Sequence, residues 1–146
     1  MNEENKKEKT LFEKIIAGEI PSDKLYEDEH TYVFLDISPN VKGHCLVVPK
    51  KPFKNIYDLP EKEGGYLIKT VSKVSKILKE SLEADGINLL MNNDEPAGQV
   101  VFHAHIHILP RFKDDQGYHG VKYDYKEGEK EELIKNFLEC LQRHED

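Results

Sequence analysis

Apolar positions along this chain alternate between a helical and a strand period, and the switches mark out its elements. Thr10 precedes Leu11, Phe12, Ile15 and Ile16, with Gly18 and Pro21 behind them. A threonine N-cap and a glycine stop predict a short N-terminal helix. His30 to Ile37 (HTYVFLDI) and His44 to Val48 (HCLVV) are β-branched and aromatic runs separated by Ser38-Pro39-Asn40 and Gly43, which predicts a strand pair. Between Pro60 and Ala84, Leu67, Val71, Val74, Leu78 and Leu82 recur every three or four residues while Lys69, Lys73, Lys76 and Lys79 take the wet side. That is one long helix, ended by Gly86. Ile87 to Met91 reads as a short buried strand, Asn92 to Gly98 as a loop, and Val100 to Leu109 (VVFHAHIHIL) as the strongest strand. After loop sequence over Gly117 to Gly128, Leu133, Ile134, Phe137, Leu138 and Leu141 share one face of a closing helix over Glu129 to Arg143. The order predicts an α+β domain with an antiparallel sheet, one long helix, a short N-terminal helix and a C-terminal helix. Residues 1–9, nearly all charged or amide, are expected to be a disordered tail. The core domain is expected over 10–112, with a C-terminal loop and helix over 113–146 packing on it.

A chain of 146 residues fits one domain. Its 21 Lys and Arg against 28 Asp and Glu give a net charge of -7, which argues against gripping a nucleic-acid backbone. A small phosphorylated ligand stays compatible, because a local pocket can oppose the global charge. No apolar run approaches the roughly 20 residues of a membrane span, and the first nine residues lack the apolar core of a signal peptide. Cys45 and Cys140 make no disulfide framework. The expectation is a cytoplasmic protein with free thiols and no membrane or nucleic-acid partner.

The chemistry concentrates in His103-Ala104-His105-Ile106-His107-Ile108-Leu109. On a strand the three histidines share one face, about 6.6 Å apart, and Ala104, Ile106 and Ile108 face the core. One histidine is ordinarily a satisfied core residue, but three in alternation each need partners for two ring nitrogens. Two chemistries compete. Imidazoles on a strand can hold a zinc ion, or one can attack phosphorus and carry a covalent phospho-histidine while its neighbours orient groups and move protons. Gly98, in Ala97-Gly98-Gln99, can let the backbone approach a ligand and turn an amide toward an anion. Asn92 and Asn93 follow a strand where amides can reach phosphate or sugar oxygens, His44 opens a buried strand, and Asp36 closes the one before it.

Taken together these segments resemble the histidine triad (HIT) superfamily of nucleotide-binding hydrolases and transferases. His103 to Leu109 fits its His-φ-His-φ-His-φ-φ motif at every position, φ being apolar. Leu11 to Pro21, Tyr26 to Glu29, Phe34 to Pro39, Lys42 to His44, Leu46 to Lys50 and Ala97 to Gln99 are similar to family segments in the same order. The resemblance implies cleavage of nucleoside phosphate derivatives at the α-phosphorus: adenosine phosphoramidates, aminoacyl adenylates or dinucleoside polyphosphates. It implies His105 as nucleophile, His107 at the phosphate and leaving group, His103 supporting the nucleophile's orientation, and His44 as a helper. It further implies Asp36 on the ribose hydroxyls, Phe12, Ile20, Phe34 and Ile37 around the base, and Asn92, Gly98 and Gln99 on the ribose and phosphate side. A homodimer using the long helix and a strand is implied, with no cofactor. Alternatives are a nucleotide-binding scaffold with weak catalysis, or a zinc hydrolase using all three histidines.

The chain departs from the family pattern in four places. Thr10, Glu13 and Pro52 stand where many bacterial relatives carry the Cys, Cys and His of a structural zinc site, so no metal is expected there. Val100 replaces a Ser or Thr that assists the leaving group in several relatives. There is no Trp to reach into a partner's site. Leu109-Pro110-Arg111 is similar to the bacterial and dinucleotide-hydrolase branches.

Overall fold

The computed structural model describes residues 8–115 and 122–145. Helix α1 (Leu11–Ile16) begins where the Thr10 hydroxyl accepts the Glu13 amide at 3.0 Å and the Glu13 carboxylate accepts the Thr10 amide at 2.9 Å. This reciprocal capping box satisfies two amides that a helix start leaves open. After it come β1 (Lys24–Glu27), β2 (Thr31–Leu35), β3 (Cys45–Pro49), the long α2 (Glu61–Ser81), β4 (Gly86–Leu90), β5 (Ile106–Arg111) and α3 (Glu129–Glu145). The strands form one antiparallel sheet in the order β1-β2-β3-β5-β4.

Strand alternation divides the core in two. Val33, Leu35, Cys45, Val47, Ile106 and Ile108 face α2 and α3, where Leu67, Val71, Val74, Ile77, Leu78, Leu133 and Phe137 meet them. Tyr32, Phe34, Leu46 and Val48 face the other way, covered by Phe12 and Ile15 of α1. α1 covers only part of that second face, and the cavity described below opens beside it.

Several expectations change. β1 was not anticipated, because Lys24-Leu25-Tyr26-Glu27 buries only Leu25 fully and is too polar to read as a strand. On α3 the inward position falls to Cys140 rather than Leu138, which is exposed. The largest change is at the histidine run. Only Ile106 onward is strand; residues 100–105 run irregularly, with the Ala104 amide donating to the Phe53 carbonyl at 2.6 Å. His107 alone therefore lies in β5, and the strand geometry expected for all three histidines does not apply to His103 and His105. Residues 1–7 of the expected tail, and 116–121 in the expected loop, lie outside the described residues.

Candidate active site

Each histidine of the run sits in a different hydrogen-bonding environment. His103 is fully buried. Its Nε2 lies 2.7 Å from the Pro49 carbonyl oxygen, and its Nδ1 2.7 Å from Thr10 Oγ1. A carbonyl only accepts, so Nε2 carries the proton and Nδ1 accepts the Thr10 hydroxyl. Both nitrogens are thereby spent, and His103 cannot join His105 and His107 around one metal ion. The hydrogen-bond pattern corrects the three-histidine zinc reading.

His105 turns back on the chain, its Nδ1 donating to the His103 carbonyl at 2.7 Å. The orienting group is the backbone of residue 103 rather than its imidazole. With Nδ1 protonated, a neutral ring keeps the lone pair on Nε2. Among the described residues no protein group takes up that lone pair. The ring is nearly buried, 5.0 Å from the Phe12 ring centroid and edge-on to it. That corrects the picture of evenly open imidazoles along a groove. Burial is the largest influence on this ring and holds its pKa below the ordinary histidine value.

His107 belongs to a relay. The Asn40 amide donates to His44 Nδ1 at 3.0 Å, so the proton of neutral His44 lies on Nε2. His44 Nε2 is 2.9 Å from His107 Nδ1, which must then accept, leaving the His107 proton on Nε2. Asp36 Oδ2 lies 3.4 Å from His44 Nε2 and 3.8 Å from His107 Nδ1. Burial first, then the neighbouring His105 and His44, press the His107 pKa down to about 4. Burial likewise lowers His44 and His103. At neutral pH the cluster holds uncharged rings with assigned tautomers: a lone pair on His105 and an N–H on His107.

The two rings line a cavity of about 580 Å³, within the usual range for a small-molecule site. Phe12, Ile15, Ile20, Phe34 and Leu46 form an apolar wall, while Asp23, Asp36, Ser38, Asn40, His44, Asn92 and Gly98 also line it. Ile37 lines it too but is 92% exposed, so it stands at the rim rather than inside. No Lys or Arg is among the described lining residues.

Gln99 does not reach this cavity. Its buried amide accepts from the Asp94 amide at 2.7 Å and Asn55 Nδ2 at 3.3 Å, and donates to the Lys54 and Val101 carbonyls at 2.8 and 3.0 Å. It braces a turn in which Asp94 holds φ +76° and ψ 156°, a region costly for any residue but glycine. The backbone amides of Gly98 and Gln99 donate to Glu95 and Asp94 carbonyls, so neither faces an anion as expected. Gly98 serves through its φ of +97°, which ends the turn beside Asn92. Sequence reasoning missed Thr10 as the partner of His103, Asn40 behind His44, and Asn55 beneath the turn. The carbonyls and amide that orient the rings carry no side-chain signal at all.

The expected zinc ligand positions do not suit a metal. Thr10 and Glu13 spend their side chains on the helix cap and His103, and Pro52 offers no donor side chain.

Residues 17–114 match the family model of the HIT domain. The protein named Protein hit from Bacillus subtilis is 43% identical over 134 residues, 92% of each chain. An adenosine 5'-monophosphoramidase from Candida albicans is 41% identical over 109 residues, 72% of this chain and 71% of that one. Among solved structures, a zinc-bound histidine triad family protein from Mycobacterium smegmatis superposes with a TM-score of 0.84 at 30% identity, covering 93% of this chain and 95% of that one.

Proposed function

Because this chain belongs to the histidine triad family, we propose that it is a nucleotide hydrolase or transferase that cleaves nucleoside phosphate derivatives at the α-phosphorus through a covalent nucleotidyl-His105. The observation that carries this reading is the His105 tautomer, with Nδ1 committed to the His103 carbonyl and the Nε2 lone pair unspent among the described residues. Attack by Nε2 forms an N–P bond as the bond from phosphorus to the leaving group breaks. The proton stays on Nδ1, hydrogen-bonded to the His103 carbonyl, which stabilises the positive ring that develops. His107 Nε2–H, held in that role by the His44 relay, gives its proton to the departing atom, the amine nitrogen of a phosphoramidate or the carboxylate oxygen of an aminoacyl adenylate. Water then attacks phosphorus and returns a proton to His107 Nε2 as the N–P bond breaks, and His105 recovers its lone pair.

Asp36 accepts the ribose hydroxyls, and Phe12, Ile20 and Phe34 pack on the base, with Ile37 at the entrance. Asn92 and Gly98 face the sugar and phosphate side, and Gln99 acts indirectly by bracing their loop. The second histidine of the run carries the covalent step; His103 anchors the segment that presents it.

The charge of the cavity favours one substrate class. Its described lining has two carboxylates, Asp23 and Asp36, and no cation. Arg111 is bound to Asp115 at 2.6 and 2.9 Å and brings no charge to it. A singly charged phosphorus centre suits such a site better than a polyphosphate chain, which needs cations along its length. Adenosine phosphoramidates and aminoacyl adenylates are therefore the proposed substrates, ahead of dinucleoside polyphosphates. The name of the Candida albicans relative agrees with this choice. Steady-state assays across that panel test it: kcat/KM at least tenfold higher for the phosphoramidate is expected. A dinucleoside polyphosphate cleaved faster would overturn the choice, and no turnover on any member would favour the binding-protein reading, to which the hydroxyl-free Val100 lends support.

A further inference from the structure

A second cluster of ligating side chains lies where the last turns of α2 and α3 meet, and none of its members lines the cavity. Glu80 is the penultimate residue of α2, and Cys140 and His144 stand one turn apart on α3. Glu80 Oε2 lies 2.8 Å from His144 Nε2 and accepts the Cys140 thiol proton. The three potential ligand atoms all fall within 4.8 Å of one another. Cys140 is buried beneath the pair, whereas Glu80 and His144 are about half exposed, so the cluster is closed below and open to solvent above.

We propose that Glu80, Cys140 and His144 bind a divalent transition-metal ion of the zinc type, which fastens α3 to α2. Thiolate, imidazole and carboxylate are the donors such an ion prefers, and three protein ligands leave a fourth tetrahedral position for water. The i, i+4 spacing aims Cys140 and His144 at one point. Both helices end here, and the partial negative charge of two C-termini favours a cation. Arg143 approaches Glu80 and Cys140 and works against the ion, although it also favours the thiolate form. On binding, the Cys140 proton leaves to solvent, His144 moves its proton to Nδ1, and the Glu80 carboxylate exchanges two hydrogen bonds for one metal bond. No electron is transferred.

Cobalt(II) titration of the full chain under reducing conditions tests the site, because thiolate ligation produces a near-ultraviolet charge-transfer band. Cys45, the other cysteine, is fully buried in the sheet and serves as the internal control. The band is expected at one equivalent, retained in Cys45→Ser and lost in Cys140→Ser. His144→Ala and Glu80→Gln, both at half-exposed positions where folding is secure, should each weaken cobalt binding at least tenfold. Excess zinc should raise the Tm of the wild type by clearly more than that of His144→Ala. No band in the wild type, a band that survives Cys140→Ser, or unchanged affinity in both exposed variants would overturn the proposal.

Discussion

At the scale of single residues, the site depends on which ring nitrogen holds each proton. Thr10 illustrates how far that dependence reaches. One hydroxyl accepts the Glu13 amide and donates to His103 Nδ1, joining the start of α1 to the segment that carries His105. Thr10→Val keeps the shape and deletes both bonds, leaving a buried imidazole nitrogen and a helix amide without partners. Each such loss costs about 1–3 kcal/mol, so urea unfolding should show a loss of at least about 1 kcal/mol relative to wild type. An unchanged midpoint would mean that Thr10 does not hold His103. The three histidines and His44 were legible in the sequence as a group because alternating imidazoles have few other uses. The hydrogen bonds that fix their tautomers were not legible, since Pro49, His103 and Asn40 act through backbone atoms that every residue possesses.

At the scale of elements, helix α2 was readable to within a few residues because a 3.6-residue period persists through five apolar positions. The histidine strand starts later than its sequence suggests, at Ile106, for an equally physical reason. Residues 100–105 have strong strand propensity, but their hydrogen bonds go to Phe53 and Pro49 and to the chain itself rather than to a ladder. Gly43 marks another tertiary constraint, with φ +85° and Leu82 and Pro110 packed where a Cβ would go. The two sheet edges also differ. β1 carries Lys24 and Glu27 and an irregular register, devices that discourage pairing with another chain. β4 (GINLL) has a regular register and an exposed Leu89, and Ile68 is exposed on the neighbouring α2. Two-fold pairing of β4 and α2 would cover both, so light scattering at micromolar concentration should give about twice the chain's 16.9 kDa. A mass matching one chain would show that β4 remains an open edge.

At the scale of the whole molecule, an acidic chain encloses an uncharged histidine cluster, and this ties stability to pH. Burial lowers the pKa of His44, His103, His105 and His107, the last to about 4. The unfolded chain binds protons near the ordinary value of about 6.5, before the folded protein does. Stability from these groups is thus complete above about pH 6.5 and is lost as pH falls toward 4. The Tm should drop between pH 7 and 5, and His107→Gln should flatten that slope; a Tm that holds or rises over the interval would contradict the neutral cluster. The same neutrality keeps the His105 lone pair available for attack on phosphorus. Wild-type protein mixed with an adenosine phosphoramidate labelled in the nucleotide and quenched within milliseconds should yield an acid-labile adduct on His105. His105→Asn, chosen because the ring is nearly buried, should stay folded, bind adenosine monophosphate and form none. A burst of product with no adduct in the wild type, or turnover retained in His105→Asn, would contradict covalent catalysis at this residue.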